Sequence, residues 1–351
     1  MAVSKTSQIG ANITTTAAQT YTGDTSLTSS TSLSGTAINM SGVNLSSNGL
    51  TVNNSAASQI SGVISGTGAV TKQGAGSLKL SGANTYSGGT TVSAGLLWAD
   101  ASTTGTAGAI TSGALGRGQV TVASGAALDL GGYSLANTLT LSGTGISSGG
   151  ALTNSTSTAA TLSGAITLGA DTVIKGNAGD LTFSGAINGA YGLTVSTTNK
   201  SITQSGVVGA TAAPTAVTFS AGTGNVTLGA ALTAQGPVSI TGGTLTLNSS
   251  ITSTATSGSG IALNGRNIQQ AAGTTVSTQG ADIAYSVTQA AFTSAADVML
   301  GVGTVNGART TINANGGHVS MGVSLATTGT AGGHDKVMQL RSTDVLTSGA
   351  G

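Results

Sequence analysis

The chain has 351 residues, a formal net charge of +1 at pH 7, only 5% charged residues, 57 glycines and no cysteine. An ordinary soluble domain carries about 25% charged residues. The near-zero net charge argues against a basic groove for nucleic acid, the absence of Lys or Arg clusters argues against binding to an anionic membrane surface, and the absence of cysteine excludes disulfides and thiolate metal sites.

The beginning of the chain, residues 1–59, is rich in Ser and Thr and has only weak periodicity. Residues 1–12 contain no apolar h-region, so we expect no signal peptide there. No run in the chain approaches the roughly 18 consecutive apolar residues of a membrane-spanning helix, so we expect no transmembrane segment in this chain.

Residues 60–250 carry the clearest strand signals. Apolar residues alternate with Thr in short runs such as Val120-Thr121-Val122, Leu139-Thr140-Leu141 and Val226-Thr227-Leu228. Alternation with period two predicts β-strands, and the intervening Gly, Asn and Ser residues predict turns. Glutamate is absent and there are only two prolines, so the composition favours neither helices nor a proline-rich disordered linker.

A short phrase of the form Thr-x-Ser-Gly returns at a constant interval within this region. Its copies are Thr140-Leu141-Ser142-Gly143, Thr161-Leu162-Ser163-Gly164, Thr182-Phe183-Ser184-Gly185 and Thr203-Gln204-Ser205-Gly206. A similar step separates Ile60-Ser61-Gly62 from Leu80-Ser81-Gly82. A fixed period of about 20–50 residues predicts stacked structural units rather than a globule.

The end of the chain, residues 251–351, holds further strand signals, such as residues 283–287, and a slightly higher density of charge. We see no interdomain linker. The sequence therefore predicts a single continuous solenoid over residues 1–351, with weaker N-terminal coils at 1–59, the clear repeat at 60–250 and C-terminal coils at 251–351.

The period predicts the fold class. One unit of about 21 residues holds roughly three short strands, which bury a face only if consecutive units stack in register. Parallel pairing between coils with a right-handed crossover predicts an all-β fold, a right-handed parallel β-helix. The length then corresponds to about 16–17 coils and a rod of roughly 80 Å.

Glycine and asparagine are assigned to the corners of this solenoid. We expect glycine where φ is positive or where coils approach closely. Asparagine at corners, such as Asn188 and Asn225, tolerates left-handed conformations and can pair with its neighbour one coil away. The alternative fold is an antiparallel sandwich or barrel, but the Asn-Gly turns at 48–49, 264–265 and 306–307 follow no period.

Residues 74–97 read Gly-Ala-Gly-Ser-Leu-Lys-Leu-Ser-Gly-Ala-Asn-Thr-Tyr-Ser-Gly-Gly-Thr-Thr-Val-Ser-Ala-Gly-Leu-Leu. This segment closely resembles the autotransporter-associated β-strand repeat, with its G-x-G-x-L-x-L-x-G-x-N-T-Y-x-G-G-T-T-V-x-x-G-x-L pattern. The matching residues are Gly74, Gly76, Leu78, Leu80, Gly82, Asn84, Thr85, Tyr86, Gly88, Gly89, Thr90, Thr91, Val92, Gly95 and Leu97.

The segments 114–116, 120–122 and 128–132 resemble the next coils of such proteins, and the rest of the chain is similar in texture to filamentous-haemagglutinin-like surface proteins. The resemblance implies a bacterial type V secretion passenger, a β-helical stalk displayed outside the cell and often an adhesin. Known members cross an outer-membrane barrel unfolded and fold outside. Its implied partners are surface glycans or proteins of a host or a neighbouring cell.

Motifs for catalysis or cofactor binding are scarce. No Gly-Lys dipeptide exists, so a Walker A loop is impossible. The nucleophile-elbow pattern G-x-S-x-G occurs at 145–149, as expected by chance in a chain this rich in Gly and Ser. His318 and His334 are the only histidines, and the pair His334-Asp335 is best explained as a solvated loop. We therefore expect no catalytic residues, no metal and no cofactor.

Three further sets of residues are weaker candidates for sites. Asp171 and Asp180 flank Lys175, and structural pairing or solvated turns explain them better than a carboxylate pair for glycoside hydrolysis. Tyr86 and Trp98 are candidates for stacking on sugars, although packing within the coil is favoured. The Asn-x-Ser/Thr sequons that begin at 154 and 248 are expected from the composition alone.

These observations favour a structural and adhesive surface protein. The first alternative is a subunit of a filament built by end-to-end stacking, because no cap is evident at either end of the solenoid. The second alternative, a β-helical carbohydrate-active enzyme, has less support. Ice binding by Thr-x-Thr pairs such as Thr244 and Thr246 is disfavoured, because these pairs do not repeat on one face.

Overall fold

The computed structural model describes residues 1–271, 273–289, 300–302, 311–313 and 319–325. The chain winds into a parallel β-solenoid of about 14 turns, with coils of about 21 residues. This confirms the predicted fold class. In the described residues, the strands of successive coils pair in parallel along three faces, which we call face 1, face 2 and face 3 in the order in which the chain visits them from Ile13.

The strands of face 1 are Ile13–Thr14, Thr31–Gly35, Leu50–Asn54, Val70–Gln73, Thr90–Val92, Val120–Val122, Leu139–Gly143, the first part of Ile166–Gly176, Ile187–Asn188, Leu232–Ala234, Ile251–Ser253, Thr275–Ser277 and Thr311–Asn313. The strands of face 2 are Ala2–Val3, Gln19–Tyr21, Ile38–Met40, Ser58–Ile60, Ser77–Leu80, Leu96–Ala99, Ala127–Asp129, Leu152–Asn154, the second part of Ile166–Gly176, Gly192–Thr197, Ala216–Ser220, the first parts of Val238–Leu247 and Ser259–Gln270, Asp282–Gln289 and Val319–Leu325.

The strands of face 3 are Ser7–Ile9, Thr25–Leu27, Val43–Asn44, Ile64–Ser65, Ala160–Leu162, Leu181–Phe183, Ile202–Gln204, Val226–Leu228, the second parts of Val238–Leu247 and Ser259–Gln270, and Leu300–Val302. Two elements belong to none of the three faces. One is an antiparallel hairpin formed by Thr104–Thr106 and Ala109–Ser112, and the other is a single 3₁₀ turn at Ile146–Ser148.

Alternation within each strand builds the core. In Leu139–Gly143, for example, Leu139 and Leu141 are buried while Thr140 is half-buried on the outside. Stacking in register turns these positions into interior rows. The row on face 1 consists of Ile13, Leu33, Val52, Lys72, Val92, Val122, Leu141 and Leu168. Burial of such apolar rows against water is the main stabilising term of the fold.

The outward positions form rows as well. On face 1 an unbroken row of threonines crosses six coils, namely Thr51, Thr71, Thr91, Thr121, Thr140 and Thr167. Threonine suits these half-buried strand positions because its branched side chain packs on the pleated surface. The pair Thr244 and Thr246 is followed in the next coil by Asn267 and Gln269, so Thr-x-Thr does not repeat there, as expected.

The recurring Thr-x-Ser-Gly phrase is only partly a structural repeat. Thr161, Thr182 and Thr203 stack directly on one another on face 3. Thr140 instead lies on face 1, between Thr121 and Thr167, and Leu135 pairs with Leu162. Including the first copy in the repeat was therefore wrong, because an irregular excursion between Leu141 and Leu152 shifts the register of the chain relative to its faces.

Within the described residues the solenoid has about 14 turns, and some of its coils are longer than the common repeat on which the predicted 16–17 coils were based. The coil that leads from Thr90 to its partner Val120 is extended, because the hairpin is inserted between them. The coil from Leu139 to its partner Ile166 is extended as well, because it contains the 3₁₀ turn. The prediction divided the length by one constant period, and such insertions extend a coil without adding a turn.

Asparagine side chains bond across the coils at the corners. The Oδ1 atom of Asn188 accepts a hydrogen bond from the N–H of Thr211 at 3.0 Å, and that of Asn225 accepts one from Thr244 at 3.0 Å. Among the described asparagines, only Asn199 has a positive φ, of 58°. Asn188 and Asn225 thus bond to the next coil, as the sequence suggested they could, and neither uses the left-handed conformation that asparagine tolerates.

Candidate functional site

The segment 70–99 contains the motif that the sequence singled out, and it spans more than one full coil. It begins with Val70–Gln73 on face 1 and Ser77–Leu80 on face 2. After a turn, it continues with Thr90–Val92 on face 1 and Leu96–Ala99 on face 2. Because Val70 pairs with Thr90 and Ser77 pairs with Leu96, the second half of the segment stacks on the first.

Asn84 connects three neighbouring stretches of chain from a buried position. Its Oδ1 atom accepts a hydrogen bond from the N–H of Ile64 at 2.7 Å, and its Nδ2 atom donates to the carbonyl of Ala114 at 2.6 Å. Its backbone exchanges two hydrogen bonds of 3.0 Å with Gly113. A buried amide offsets its desolvation cost only when it is paired in this way, so this asparagine has a structural role.

Tyr86 lies wholly inside the solenoid. Its hydroxyl is 2.5 Å from Oγ1 of Thr90, which in turn donates to the carbonyl of Leu115 at 3.1 Å. Burial raises the pKa of the Tyr86 hydroxyl well above its usual value, and the hydrogen bond to Thr90 offsets this in part. A ring with no exposed surface is inaccessible to a sugar, so Tyr86 acts in packing.

Trp98 stands on the outer side of face 2 between two neighbours in its row, Lys79 and Asp129. The ammonium of Lys79 lies 5.6 Å from the centre of the indole ring and 2.9 Å from a carboxylate oxygen of Asp100. On the other side, a Cβ added to Gly131 would overlap with the indole nitrogen. Trp98 is therefore enclosed by its neighbours, an arrangement typical of packing rather than of a flat stacking platform.

Lys72 is the residue of this segment that the sequence analysis missed. It occupies an interior position in the row between Val52 and Val92, where apolar residues are the rule, and its side chain is fully buried. Its ammonium donates hydrogen bonds to the carbonyls of Gln73, Gly74 and Ala94. Burial lowers the pKa of Lys72 to about 8. The alternation of Val70-Thr71-Lys72 is the signal that could have identified an inward lysine.

The remaining candidates have structural partners or lie elsewhere. Oδ1 of Asp171 accepts from the N–H of Gly192 at 2.8 Å, and Oδ1 of Asp180 accepts from Ser201 at 2.8 Å, so each carboxylate binds the next coil as the sequence predicts. Lys175 lies in the outer row of face 2. His318, His334 and Asp335 lie outside the described residues.

The G-x-S-x-G segment forms the single 3₁₀ turn, in which Ser147 has a φ of 49°. In the sequons that begin at 154 and 248, Asn154 is fully buried, whereas Asn248 is exposed in a corner. No group of three His, Cys, Asp or Glu residues that could hold a metal ion occurs in the described part of the chain. A shallow, open depression of about 220 Å³ lies on face 2 beside Thr20, Asn39 and Gln59, smaller than most pockets for small molecules.

Comparison with known proteins identifies the segment just described. Residues 70–99 match the family model of the passenger-associated-transport-repeat. No curated protein and no solved structure matches the chain. Across the described residues, no helix has the length and apolar character needed to cross a membrane. The resemblance seen at residues 74–97 is thus confirmed, and a passenger-associated-transport repeat within a parallel β-solenoid fits an autotransporter passenger repeat protein.

Proposed function

We propose that this chain is a length of the stalk of a bacterial passenger protein, which holds an adhesive element away from the cell. The observation that carries the proposal is the repeat match at residues 70–99, in the same coils that form the solenoid. The proposed location is the outer cell surface or the extracellular space. The function is mechanical, so it needs neither a catalytic group nor a cofactor.

The stacking of coils supports a stiff rod. In the described residues, parallel strands join successive coils along faces 1 and 2, and along face 3 within residues 7–65 and 160–302. Side chains such as Asp180 and Asn225 add hydrogen bonds at the corners. With a strand spacing of about 4.8 Å, 14 turns correspond to a rod of about 65 Å. Repeat proteins of this kind resist bending because every unit is held by both neighbours.

The proposal also includes a role in adhesion. The outer faces are broad, nearly uncharged and lined with threonine rows such as that from Thr51 to Thr167, which suits a weak, extended contact with surface glycans or proteins of a host or neighbouring cell. We propose no contact with nucleic acid. Such contacts would be spread over many residues rather than concentrated in a pocket.

The proposal is tested by displaying the chain on the surface of a bacterium. The chain is fused to a signal peptide and an outer-membrane translocator, and exposure is measured by cleavage with an external protease. A matched fusion carries the chain without residues 70–99. If the chain is a passenger stalk, the intact chain reaches the surface and binds to mammalian or bacterial cell layers more than the bare translocator does. An intact chain that is folded but retained inside the cell contradicts the proposal.

A second candidate is a filament subunit, in which the strands of one copy pair with those of the next copy as successive coils pair here, for example Ala2–Val3 with Gln19–Tyr21. Strand edges can accept another chain in this way. Electron microscopy of the purified chain separates the candidates, because a stalk gives single rods of about 65 Å, whereas a subunit gives long threads.

A further inference from the structure

Lys72 carries a positive charge into a row of apolar side chains. Among the residues whose side chains are described, it is the only lysine or arginine that is buried. Moving an ammonium group from water into an apolar interior is costly unless its N–H groups find acceptors. At this position, the Nζ atom of Lys72 therefore needs hydrogen-bond acceptors around it.

Three backbone carbonyls converge on that atom. The ammonium donates to the oxygen of Gln73 at 2.6 Å, to that of Gly74 at 2.7 Å and to that of Ala94 at 3.3 Å. An ammonium group has three N–H donors, so each donor has one acceptor. The first two carbonyls belong to the coil of Lys72 itself and the third belongs to the next coil, so the ammonium joins two coils at one corner.

Two glycines in left-handed conformations shape this corner. Gly74 has a φ of 75° and follows Gln73, and Gly95 has a φ of 69° and follows Ala94. A Cβ on Gly95 would lie 2.8 Å from Nζ of Lys72 and would also overlap with the carbonyl oxygens of Gly74 and Gly76. The absence of a side chain at residue 95 thus leaves the room that the ammonium fills.

The chemistry of this corner is that of a site for a small monovalent cation. Rings of carbonyl oxygens replace the hydration shell of such ions in proteins. Gln73 is exposed and Gly74 is half-buried, so the ammonium lies directly beneath a turn at the surface. Although burial lowers the pKa of Lys72 to about 8, the protonated form predominates at neutral pH.

We propose that the carbonyls of Gln73, Gly74 and Ala94 form a monovalent-cation site whose resident cation is the ammonium group of Lys72. The site binds free ammonium when the lysine side chain is removed. In this proposal, Lys72 supplies the cation, and Gly74 and Gly95 shape the corner that holds it. All three residues lie within the transport repeat at residues 70–99. The ammonium group supplies hydrogen-bond donors to carbonyl groups from two coils at their junction.

The experiment is a rescue with a small cation. Lys72→Ala empties the site, and thermal unfolding is followed at pH 7 in ammonium chloride and in an equal concentration of tetramethylammonium chloride, whose cation is too large and has no N–H donor. We expect Lys72→Ala to unfold several degrees below the natural chain, and ammonium to restore at least half of that loss. Val92→Ala is the matched control, because it opens space in the same interior row without these carbonyls.

Equal recovery of Lys72→Ala in the two salts, or an equal ammonium effect on Val92→Ala, overturns the proposal. If Lys72→Ala does not fold, nuclear magnetic resonance of the natural chain replaces the rescue. A held ammonium gives a resolved ¹⁵N-bound proton signal for Lys72 that exchanges slowly with water, and Lys72→Gln removes that signal. If the Lys72 ammonium exchanges as fast as that of the exposed Lys5, the proposed site does not exist.

Discussion

The carbonyl oxygen of Gly185 occupies the space that a side chain on Gly206 would need. The same relationship links Gly164 to Gly185 one coil earlier. These three glycines end the three stacked copies of the phrase on face 3. They are required because the coils approach closely at this corner, and none of them has a positive φ.

Replacing Gly206 with alanine should therefore destabilise the solenoid. The obstacle is backbone rather than a movable side chain, so the two coils must separate, and we expect a loss of about 3 kcal/mol in the free energy of unfolding. Denaturant unfolding followed by circular dichroism measures it. Gly49→Ala is the control, since the nearest atom to its Cβ is Oγ of Ser30 at 3.7 Å, and we expect no significant loss there.

Gly131 and Trp98 should behave as a coupled pair. A Cβ on Gly131 would overlap with the indole nitrogen, and Gly131 also has a φ of 59°. We expect Gly131→Ala to cost roughly 2 kcal/mol in the natural chain and at least about 1 kcal/mol less in a Trp98→Ala background. There the backbone strain and a close contact of 2.9 Å with the carbonyl oxygen of Ala99 are left. A double-mutant cycle of unfolding free energies tests this. Additive losses would show that the indole is not the obstacle.

The buried tyrosines make stability depend on pH in alkaline solution. Burial raises the pKa of Tyr86 above the value of 10.0 that an unperturbed tyrosine has. Above about pH 10 the unfolded chain releases this proton while the folded chain keeps it, so the free energy of unfolding falls as pH rises further. Tyr86→Phe should make this fall shallower, because the ionisable group is gone. Tyr21 and Tyr285, whose pKa values are also raised by burial, contribute to the same fall. The lowered pKa of Lys72, about 8, opposes the fall up to about pH 10.5, because the unfolded chain still binds the proton that the folded chain has lost.

The measurement is the midpoint of urea unfolding between pH 9 and pH 11. Tyr86→Phe should also cost about 1 kcal/mol at pH 7 through the lost hydrogen bond to Thr90. Tyr191→Phe, at an exposed position, controls for the loss of a hydroxyl group. A slope in Tyr86→Phe as steep as in the natural chain would contradict the assignment.

The hairpin at 104–112 should be dispensable for folding. Its strands Thr104–Thr106 and Ala109–Ser112 pair only with each other and are largely exposed. Deleting residues 104–111 retains Thr103, whose N–H donates to the carbonyl of Ser134 at 2.9 Å, and Gly113, which pairs with Asn84. We expect the β-sheet signal to persist and the unfolding free energy to change by less than about 1 kcal/mol.

A deletion of equal length within a stacked strand provides the contrast. Removing residues 160–167 takes away one strand of face 3 and the start of the next on face 1, so we expect that variant to lose cooperative unfolding. If the two deletions had equal effects, the hairpin would be part of the structural unit and our description of it would be wrong.

The fold class could be read from the sequence, because alternation and period are local properties. Val120-Thr121-Val122 could be assigned as a strand with Val120 and Val122 inside, since side chains on a strand alternate between its two faces. The structural pairing of Asp171 and Asp180 could also be predicted, because short acceptors in turns find backbone N–H groups. The transport repeat was visible from its motif at residues 74–97.

Tertiary structure alone decided which residues meet. Thr140 repeats the phrase but lies on another face, because an insertion shifts the chain around the solenoid and a linear period does not register that shift. Lys72 is held by a carbonyl from the next coil, that of Ala94. Residue spacing predicts that coils stack. It does not predict which residues of neighbouring coils come into contact, because those contacts depend on the length of every intervening turn.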